Sequence, residues 1–501
     1  MSERMSGRNN TLPRLGLLAG PVLALVCFLL LPDTYLTQSG ELQELDATAR
    51  IVAALAVLMA CWWMTEAIPV YATALVPLVL FPLFGITDIR STAQSYGHEI
   101  IFLFLGGFIL ALAIEKWGLH KRLALNLLAS VGSRPATIIG AFMAVAATLS
   151  MWVTNTATTI MLLPVAISVI NLLPDEHRQD EIAPFGLCLL LGIAYAASVG
   201  GMGTIVGTAP NAFTVSFLRE QGIVIGFLDW MKFGVPLVIV FVPLIWLMLT
   251  RVVFPLQRQQ LAGAEEMLNA ERDKLPPFSR AERLTLVVFV LTAALWITRP
   301  LLSKLSIGGV QPLAGLTDPG IAMLAALTLF LMPLDWRRGV FLMDWNTAVK
   351  LPWGLLLLFG GGLALAAALV SSGFSAFLGA QAAALADWPL WLIVLTVTAG
   401  IVFLTELTSN TATTATLIPI LFAVAVGLEL PPLLLVLPAT FAASCAFMLP
   451  VATPPNAIVF GSGLITVPQM SRAGLRLNMA AIVLVTFAAY AILAPVLGVG
   501  H

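Results

Sequence analysis

The sequence predicts an all-α polytopic membrane protein with about 11 transmembrane helices and two re-entrant helical hairpins in two inverted repeats. Three observations predict this fold class. Hydrophobic residues make up 59% of the 501 residues and charged residues only 10%, whereas about 25% of the residues in an average soluble domain are charged. Apolar stretches long enough to cross a bilayer recur along the chain, and one polar motif occurs twice within them.

Length places the transmembrane helices, since a helix needs about 20 apolar residues to cross the hydrocarbon layer. Two segments, 136–172 and 389–428, are too long for one crossing, and each has a polar motif near its middle. We expect each segment to enter and leave by the same face, and we call them hairpin A and hairpin B. The other apolar stretches predict crossings near 15–32, 49–64, 67–87, 98–116, 185–209, 231–250, 284–300, 317–335, 353–371, 433–460 and 477–498.

Basic residues orient these segments, because Lys and Arg accumulate in cytoplasmic loops. With the N-terminus (1–14) inside and both long segments as hairpins, 19 of the 25 Lys and Arg residues lie on the cytoplasmic side. A single crossing by hairpin A would move the linker 251–283, with six basic residues, to the outside. Hairpin A therefore opens from the cytoplasm and hairpin B from the other face, and the C-terminus is expected outside. Two full crossings per hairpin segment would give the same parity.

The polar motif belongs to an internal repeat. Motif A (residues 154–159, Thr-Asn-Thr-Ala-Thr-Thr) aligns with motif B (residues 409–414, Ser-Asn-Thr-Ala-Thr-Thr) at a shift of 255, together with flanking glycines and a proline. Further on, 207–211 (Gly-Thr-Ala-Pro-Asn) matches 452–456 (Ala-Thr-Pro-Pro-Asn) at a shift of 245. Because the hairpins open from opposite faces, the repeats 15–230 and 231–500 are inverted. Inverted repeats place a substrate site near the bilayer midplane.

Both motifs have the parts to bind cations and an anion side by side. Pro210, Pro454 and Pro455 and the glycine-rich run 200–203 free backbone carbonyls from helical hydrogen bonds. Such carbonyls, together with hydroxyl and amide oxygens, suit a small hard cation. The second arm of each hairpin begins just after its motif, so its N-terminal N–H groups suit an anion. No Lys or Arg lies within ten residues of either motif, so bound cations would offset the charge of the anion.

The repeated motif, together with the stretch 443–459 (Ala-Ser-Cys-Ala-Phe-Met-Leu-Pro-Val-Ala-Thr-Pro-Pro-Asn-Ala-Ile-Val), resembles the divalent anion:sodium symporters, which include dicarboxylate, citrate and sulfate transporters. The resemblance covers nearly the whole chain. It implies a homodimer in which each protomer has a scaffold, about 15–130 and 231–385, and a transport domain, about 134–215 and 389–465. The transport domain would move as an elevator.

The resemblance also implies site residues. Sodium would be bound at two sites, the first formed by Ser150, Thr154, Asn155 and Gly207, and the second by Thr405, Thr408, Asn410 and Ala452. The substrate would be bound by Thr154, Asn155, Thr156, Thr208, Ser409, Asn410, Thr411, Thr453 and Pro454. Sodium would be the coupling ion, with no other cofactor. One departure is Thr154, which stands where the family usually has Ser, so its extra methyl group narrows the first site.

Glu406 is an intramembrane carboxylate one helical turn before motif B, and Met151 occupies its repeat position. Such a carboxylate is a functional hypothesis by default, either a proton carrier or a residue that tunes an ion site. The alternative is a carboxylate on the wet face of the hairpin or one paired within the transport domain. The sequence leaves the two interpretations open.

These features predict a sodium-coupled secondary active transporter of a small divalent organic anion, a C4-dicarboxylate such as succinate, in the cell (inner) membrane. A sodium-independent dicarboxylate exchanger and a citrate or sulfate transporter of the same fold are alternatives, as are a passive channel and a membrane receptor. The sequence offers no acid–base pair, metal cluster or nucleophile for an enzyme. The net charge of −1 argues against a nucleic-acid partner.

Overall fold

The computed structural model describes residues 11–37, 40–130, 132–172, 182–256, 261, 263–306, 309–382, 385 and 387–489, and these are mostly helical, as predicted. The helices of the first repeat are α1 Thr11–Leu30, α2 Ala47–Thr65, α3 Val70–Thr73, α4 Val76–Leu83, α5 Ile89–Gln94, α6 Glu99–Lys116, α7 Leu119–Leu128, α8 Pro135–Ser150, α9 Asn155–Ile170, α10 Ile182–Gly200 and α11 Ala209–Glu220.

The second repeat follows the same order. Its helices are α12 Phe227–Leu247, α13 Ala264–Asp273, α14 Arg280–Leu302, α15 Asp318–Leu331, α16 Trp345–Ala348, α17 Trp353–Ser371, α18 Phe374–Ala382, α19 Leu390–Thr405, α20 Asn410–Gly427, α21 Leu433–Ala443, α22 Pro454–Phe460 and α23 Val467–Ala488. Two antiparallel strand pairs were not predicted: β1 Thr34–Leu36 with β2 Leu42–Glu44, in a connection, and β3 Pro333–Asp335 with β4 Val340–Phe341, of which β3 lies at the end of the predicted crossing 317–335.

Within the described ranges, nine helices are long and apolar enough to cross a membrane. Several predicted crossings differ in detail from the helices. The stretch 67–87 is divided into α3 and α4, because Pro77 at the start of α4 cannot donate a backbone hydrogen bond to α3. The stretch 317–335 gives a helix that ends at Leu331, because Pro333 begins β3. The stretch 433–460 is interrupted, as its Thr-Pro-Asn element predicted.

The last helix begins ten residues before the predicted crossing 477–498. Thr466 caps α23 by a reciprocal pair of hydrogen bonds with Gln469, so the helix starts at Val467 and includes Arg472 and Arg476. The predicted crossing began at 477 and so left both arginines in the preceding loop. The end of this predicted crossing, the C-terminus and residues 1–10 lie outside the described residues.

Both hairpins are present. Hairpin A consists of α8 and α9, with 16 residues each, and hairpin B of α19 and α20, with 16 and 18 residues. At a rise of 1.5 Å per residue, an arm of this length spans about 24–27 Å. The hydrocarbon layer is about 30 Å thick. The 16-residue arms α8, α9 and α19 are therefore short for full crossings, whereas α20 is one of the nine helices long enough to cross.

Two helix interruptions lie beside the hairpins. Break A (residues 201–208) joins α10 to α11, and break B (residues 444–453) joins α21 to α22. Helix α10 lies in the core and packs against α8 and α9, and α21 packs against α19 and α20. The short helices after the breaks are exchanged: α11 packs against α20, and α22 packs against α9. Each break is therefore followed by a helix that packs on the hairpin of the other repeat.

Helix α13 lies within the predicted cytoplasmic linker 251–283. Its Ala264 and Leu268 are buried, and the helix packs against α7 and α9. The backbone N–H of Leu261 donates a hydrogen bond to the Ser133 carbonyl, 2.9 Å away, just before hairpin A. This part of the linker is thus attached to the base of hairpin A and is not fully solvated.

Candidate transport site at the two hairpin motifs

Motif A begins where the first arm of hairpin A ends. Helix α8 ends at Ser150, and α9 begins at Asn155 with Thr154 as its N-cap residue. The Oγ1 atom of Thr154 accepts a hydrogen bond from the Ala157 N–H at 3.3 Å, as a capping threonine does. The methyl group that distinguishes Thr154 from serine takes no part in this bond.

Break A is held by side chains that donate to its freed carbonyls. The Asn211 side-chain amide donates to the carbonyls of Gly201, at 3.0 Å, and Thr204, at 2.8 Å. The Trp230 indole N–H on α12 donates to the Met202 carbonyl at 2.9 Å. The Thr204 hydroxyl donates to the Met151 carbonyl at 2.5 Å and so ties break A to hairpin A.

Oxygen atoms of the predicted first sodium site converge next to Gly201. A Cβ atom at Gly201 would lie 2.9 Å from Asn155 Oδ1 and 3.0 Å from the Gly207 carbonyl oxygen, so only glycine fits there. Asn155 Oδ1 and Ser150 Oγ are buried and have no hydrogen-bond partner among the described residues. A buried oxygen without a partner costs about 1–3 kcal/mol. A cation next to Asn155 Oδ1 and the Gly207 carbonyl would satisfy the asparagine oxygen.

Motif B has the same position in hairpin B, but its oxygens pair with one another. The Thr405 hydroxyl lies 2.7 Å from Asn410 Oδ1 and 2.9 Å from the Ala443 carbonyl oxygen. The Thr408 hydroxyl lies 2.6 Å from that of Thr413. Ser409 occupies the N-cap position of α20 without a side-chain capping bond. Three of the predicted ligands of the second sodium site, Thr405, Thr408 and Asn410, are thus at one hairpin tip, and Ala452 lies on break B.

Break B repeats the amide arrangement of break A. The Asn456 side-chain amide donates to the carbonyls of Ala446 and Leu449, both at 3.0 Å. At the shift of 245, these positions match Gly201 and Thr204, the acceptors of Asn211. The Tyr195 hydroxyl on α10 donates to the Phe447 carbonyl at 2.7 Å. Tyr195 thus has at break B the role that Trp230 of α12 has at break A.

Glu406 is buried, with 3% of its surface exposed. Its Oε1 atom accepts hydrogen bonds from the backbone N–H of Phe447, at 2.6 Å, and Met448, at 2.9 Å, and from the Asn478 side-chain amide at 2.8 Å. Its Oε2 atom accepts from the Leu449 N–H at 3.1 Å. The carboxylate is therefore paired with groups of break B and α23 and does not lie on a wet face of the hairpin.

The predicted substrate residues surround these motifs. Each lies at or near the start of a helix: Thr154 and Thr156 at α9, Thr208 at α11, Ser409 and Thr411 at α20, and Thr453 and Pro454 at α22. Thr411 and Thr453 are buried, Thr156, Thr208 and Ser409 are half-buried, and Thr154 and Pro454 are exposed. Helix α22 packs against α9, and α11 packs against α20. Each of these two pairs joins a helix of one repeat to a helix of the other, and all four helices begin at predicted substrate residues. Helix N-termini attract anions.

Sequence reasoning missed the residues that hold the breaks from outside the motifs. Trp230, Tyr195 and Asn478 contact the breaks or Glu406, and the repeat alignment singles out none of them. Asn478 could have been noticed as an amide within the apolar stretch of the last predicted crossing, and the structure shows that it is buried. Among the described residues there is no group of three or more His, Cys, Asp or Glu side chains that could hold a metal.

Comparison with known sequences decides the family. The model of the family described as "Sodium:sulfate symporter transmembrane region" matches residues 18–497. The chain belongs to the sodium:sulfate symporter family. Proteins of this family are membrane transporters, so the chain is a transporter and not an enzyme.

Within the sodium:sulfate symporter family, the chain is similar to proteins named sodium-dependent dicarboxylate transporter SdcS. It is 38% identical to SdcS of Staphylococcus saprophyticus over 490 residues, which cover 97% of this chain and 92% of the relative. It is 39% identical to SdcS of Staphylococcus aureus strain MRSA252 over 491 residues, with the same coverage. The predicted resemblance to divalent anion:sodium symporters is thereby confirmed.

Solved structures share the fold at low sequence identity. The Alcanivorax borkumensis YdaH transporter has a TM-score of 0.61 at 14% identity and covers 95% of this chain and 97% of its own. Neisseria gonorrhoeae MtrF has a TM-score of 0.57 at 11% identity and covers 95% and 94%. The helical fold of this sodium:sulfate symporter family member therefore extends to transporters of quite different sequence.

Proposed function

We propose that the protein is a sodium-coupled secondary active transporter of small dicarboxylates, with C4-dicarboxylates such as succinate as substrates. The observation that carries the proposal is the buried, unpartnered Asn155 Oδ1 close to the Gly207 carbonyl, together with the buried, unpartnered hydroxyl of Ser150 at the end of α8. Hydroxyl, amide and carbonyl oxygens are the ligands that a small hard cation prefers. The similar SdcS proteins are named for sodium-dependent dicarboxylate transport.

The dicarboxylate would be held without a basic side chain. Asn155-Thr156 and Asn410-Thr411 begin helices whose N–H groups face an incoming carboxylate. Thr208, Thr453 and Pro454 would line the rest of the pocket. Two bound sodium ions would offset the two negative charges, which makes sodium a requirement for substrate binding.

Alternating access would come from an elevator movement of the hairpins and breaks against a scaffold in a homodimer. The moving unit would contain α8 to α11 and α19 to α22. We also assign α12 and α23 to it, because Trp230 and Gly234 of α12 contact break A, and Ser471 and Gly474 of α23 contact break B. This assignment revises the division in which 231–250 belonged to the scaffold.

The scaffold would contain α1 to α6 and α14 to α17, which pack together through contacts such as Gly106 of α6 against the backbone of Ala322 in α15. The protein would lie in the cell (inner) membrane with its N-terminus in the cytoplasm, as the distribution of basic residues predicts.

Transport by purified protein in liposomes tests the proposal. Uptake of labelled succinate should exceed equilibrium under an inward sodium gradient and should not do so when potassium replaces sodium. Equal uptake in the two salts would reject sodium coupling. Uptake that depends on internal dicarboxylate and ignores sodium would identify an exchanger instead.

Substrate choice needs a competition panel, because the family description names sulfate. Unlabelled succinate, malate and fumarate should compete strongly, and citrate and sulfate weakly. Strong competition by sulfate or citrate alone would replace the dicarboxylate assignment and leave sodium coupling standing.

A further inference from the structure

Glu406 has no counterpart in the first repeat. Motif B follows it closely, and its repeat position in hairpin A is Met151. The surroundings of both motifs contain no Lys or Arg within ten residues. A buried carboxylate without a basic partner is costly unless it is fully hydrogen-bonded. The structure supplies that hydrogen bonding from backbone and amide groups.

Four donors converge on this carboxylate from two other elements. Three are consecutive backbone N–H groups of break B, at residues 447–449, and the fourth is the Asn478 side-chain amide on α23. Charge-assisted hydrogen bonds of this kind are about twice as strong as neutral ones. Glu406 therefore ties hairpin B, break B and α23 together through one side chain.

The same three residues are fixed through their carbonyls as well. Tyr195 donates to the Phe447 carbonyl, Ser471 to that of Met448 at 3.1 Å, and Asn456 to that of Leu449. Gly474 of α23 lies directly against the Phe447 carbonyl and the Met448 Cα atom. With the Glu406 bonds added, both polar groups of each of these three peptide units have a partner.

Break A is fixed beside hairpin A by different contacts. It contains Gly201 and Gly203, and Gly200, the last residue of α10, packs closely against the backbone of Ala147. Among the described residues, the hydrogen bond that joins break A to hairpin A is that from the Thr204 hydroxyl to the Met151 carbonyl, both neutral groups. No described carboxylate or basic side chain has a hydrogen bond or ion pair with break A. The two ion sites of the proposed function therefore differ by one buried, hydrogen-bonded carboxylate side chain.

We propose that Glu406 is a positioning residue for the second cation site. By accepting hydrogen bonds from the N–H groups of Phe447, Met448 and Leu449 and from Asn478, it fixes break B against hairpin B. It also places a buried carboxylate next to Thr405, the adjacent residue in the chain. The inference rests on the proposed function, because it concerns the sodium affinity of that same site.

Sodium titration of thermal stability in detergent tests this role without requiring transport. Choline replaces sodium at constant ionic strength, and the measured quantity is the sodium concentration that gives half of the rise in melting temperature. The titration is done in a Ser150→Ala background, in which the first site is weakened and the second dominates. Glu406→Gln should raise this concentration about tenfold, the order of effect expected for one nearby charge at a partly screened site.

Two further variants separate charge from fold. Glu406→Asp keeps the charge and should remain closer to the parent than Glu406→Gln does. Glu429→Gln removes an exposed carboxylate just beyond the other end of α20 and should leave the sodium dependence unchanged. If Glu406→Gln does not fold, Asn478→Ala carries the test: it removes one of four donors and should raise the half-saturating sodium concentration about threefold.

The outcomes are distinguishable from those that bear on the proposed function. If sodium stabilises the parent protein but Glu406→Gln lowers the melting temperature without shifting the sodium dependence, Glu406 is only structural and this inference is wrong. An equal shift in Glu429→Gln would also overturn it, since any lost charge would then suffice. If sodium does not stabilise the wild-type protein or drive its uptake of succinate, the proposed function itself fails.

Discussion

Motif A and motif B have nearly the same sequence, yet their oxygens are used differently. At motif A, Ser150 Oγ and Asn155 Oδ1 are buried without a partner among the described residues. At motif B, the matching Thr405 and Asn410 side chains bond to each other at 2.7 Å, and Thr405 also reaches the Ala443 carbonyl. At the tip of hairpin B the Thr405 and Asn410 oxygens are thus paired, whereas at the tip of hairpin A the matching oxygens of Ser150 and Asn155 have no described partner. Elsewhere in hairpin B, Thr398 and Thr416 have buried hydroxyls without a described partner.

The difference follows from a few substitutions between the repeats. In hairpin B, the Thr408 and Thr413 hydroxyls bond to each other. Hairpin A has Val153 at the position of Thr408. The residue that matches Thr413, Thr158, therefore has a buried hydroxyl without a described partner. Glu406 stands where hairpin A has Met151. We infer that cation binding contributes more to the order of hairpin A, and that internal hydrogen bonds contribute more to that of hairpin B.

The largest expected effect tests what the motifs share. Asn155→Ala and Asn410→Ala should each reduce sodium-driven succinate uptake to background, because each removes an oxygen proposed to bind sodium and a helix start proposed to bind substrate. Uptake into liposomes measures this. Asn171→Ala, at the exposed far end of α9, is the matched control and should transport normally. Retained transport in either motif variant would remove that asparagine from the site.

The next effect tests whether the breaks are equivalent. Asn211→Ala and Asn456→Ala each remove two hydrogen bonds to buried carbonyls, so each should lower the free energy of unfolding by about 2–4 kcal/mol. Thermal or denaturant unfolding in detergent measures the loss. A large loss in one variant and none in the other would contradict the equivalence of break A and break B.

A smaller effect tests the contrast directly. In sodium-free solution, Thr405→Val should destabilise the protein by about 1–2 kcal/mol, because it removes a single hydroxyl proton shared by two described acceptors, Asn410 Oδ1 and the Ala443 carbonyl. Ser150→Ala removes a hydroxyl without a described partner and should leave sodium-free stability nearly unchanged, while it weakens stabilisation by sodium. The melting temperature in choline and in sodium gives both values. Equal losses in choline would show that the two motifs do not differ as the hydrogen bonds indicate.

The smallest effect concerns the residue by which the motifs differ at their first position. Thr154→Ser keeps the hydroxyl that caps α9 and removes one methyl group. The half-saturating sodium concentration should therefore change by less than about threefold. Ser409→Thr makes the reverse change at motif B. A much larger shift in sodium dependence for Thr154→Ser would mean that the methyl group determines the size of the first site.

Much of this architecture is local and could be predicted. The apolar stretches predicted the membrane helices, the lengths of two segments and the distribution of basic residues predicted both hairpins, and the repeat alignment predicted both breaks. The prolines at 210 and 454 marked where helices restart, because the effect of proline depends only on its neighbours in the chain. One error was local too: α23 begins earlier than predicted, at a capping pair formed by Thr466 and Gln469.

What the sequence by itself determined is therefore the membrane class, the repeats, and the residue types at the two motifs. Tertiary structure alone decided which of those groups are paired. Glu406 meets Asn478 across 72 positions of sequence, and Tyr195 reaches the Phe447 carbonyl across 252. The physical reason is that a hydrogen bond needs its two atoms within about 3 Å, and only the packing of α10, α21 and α23 around the breaks brings these atoms together.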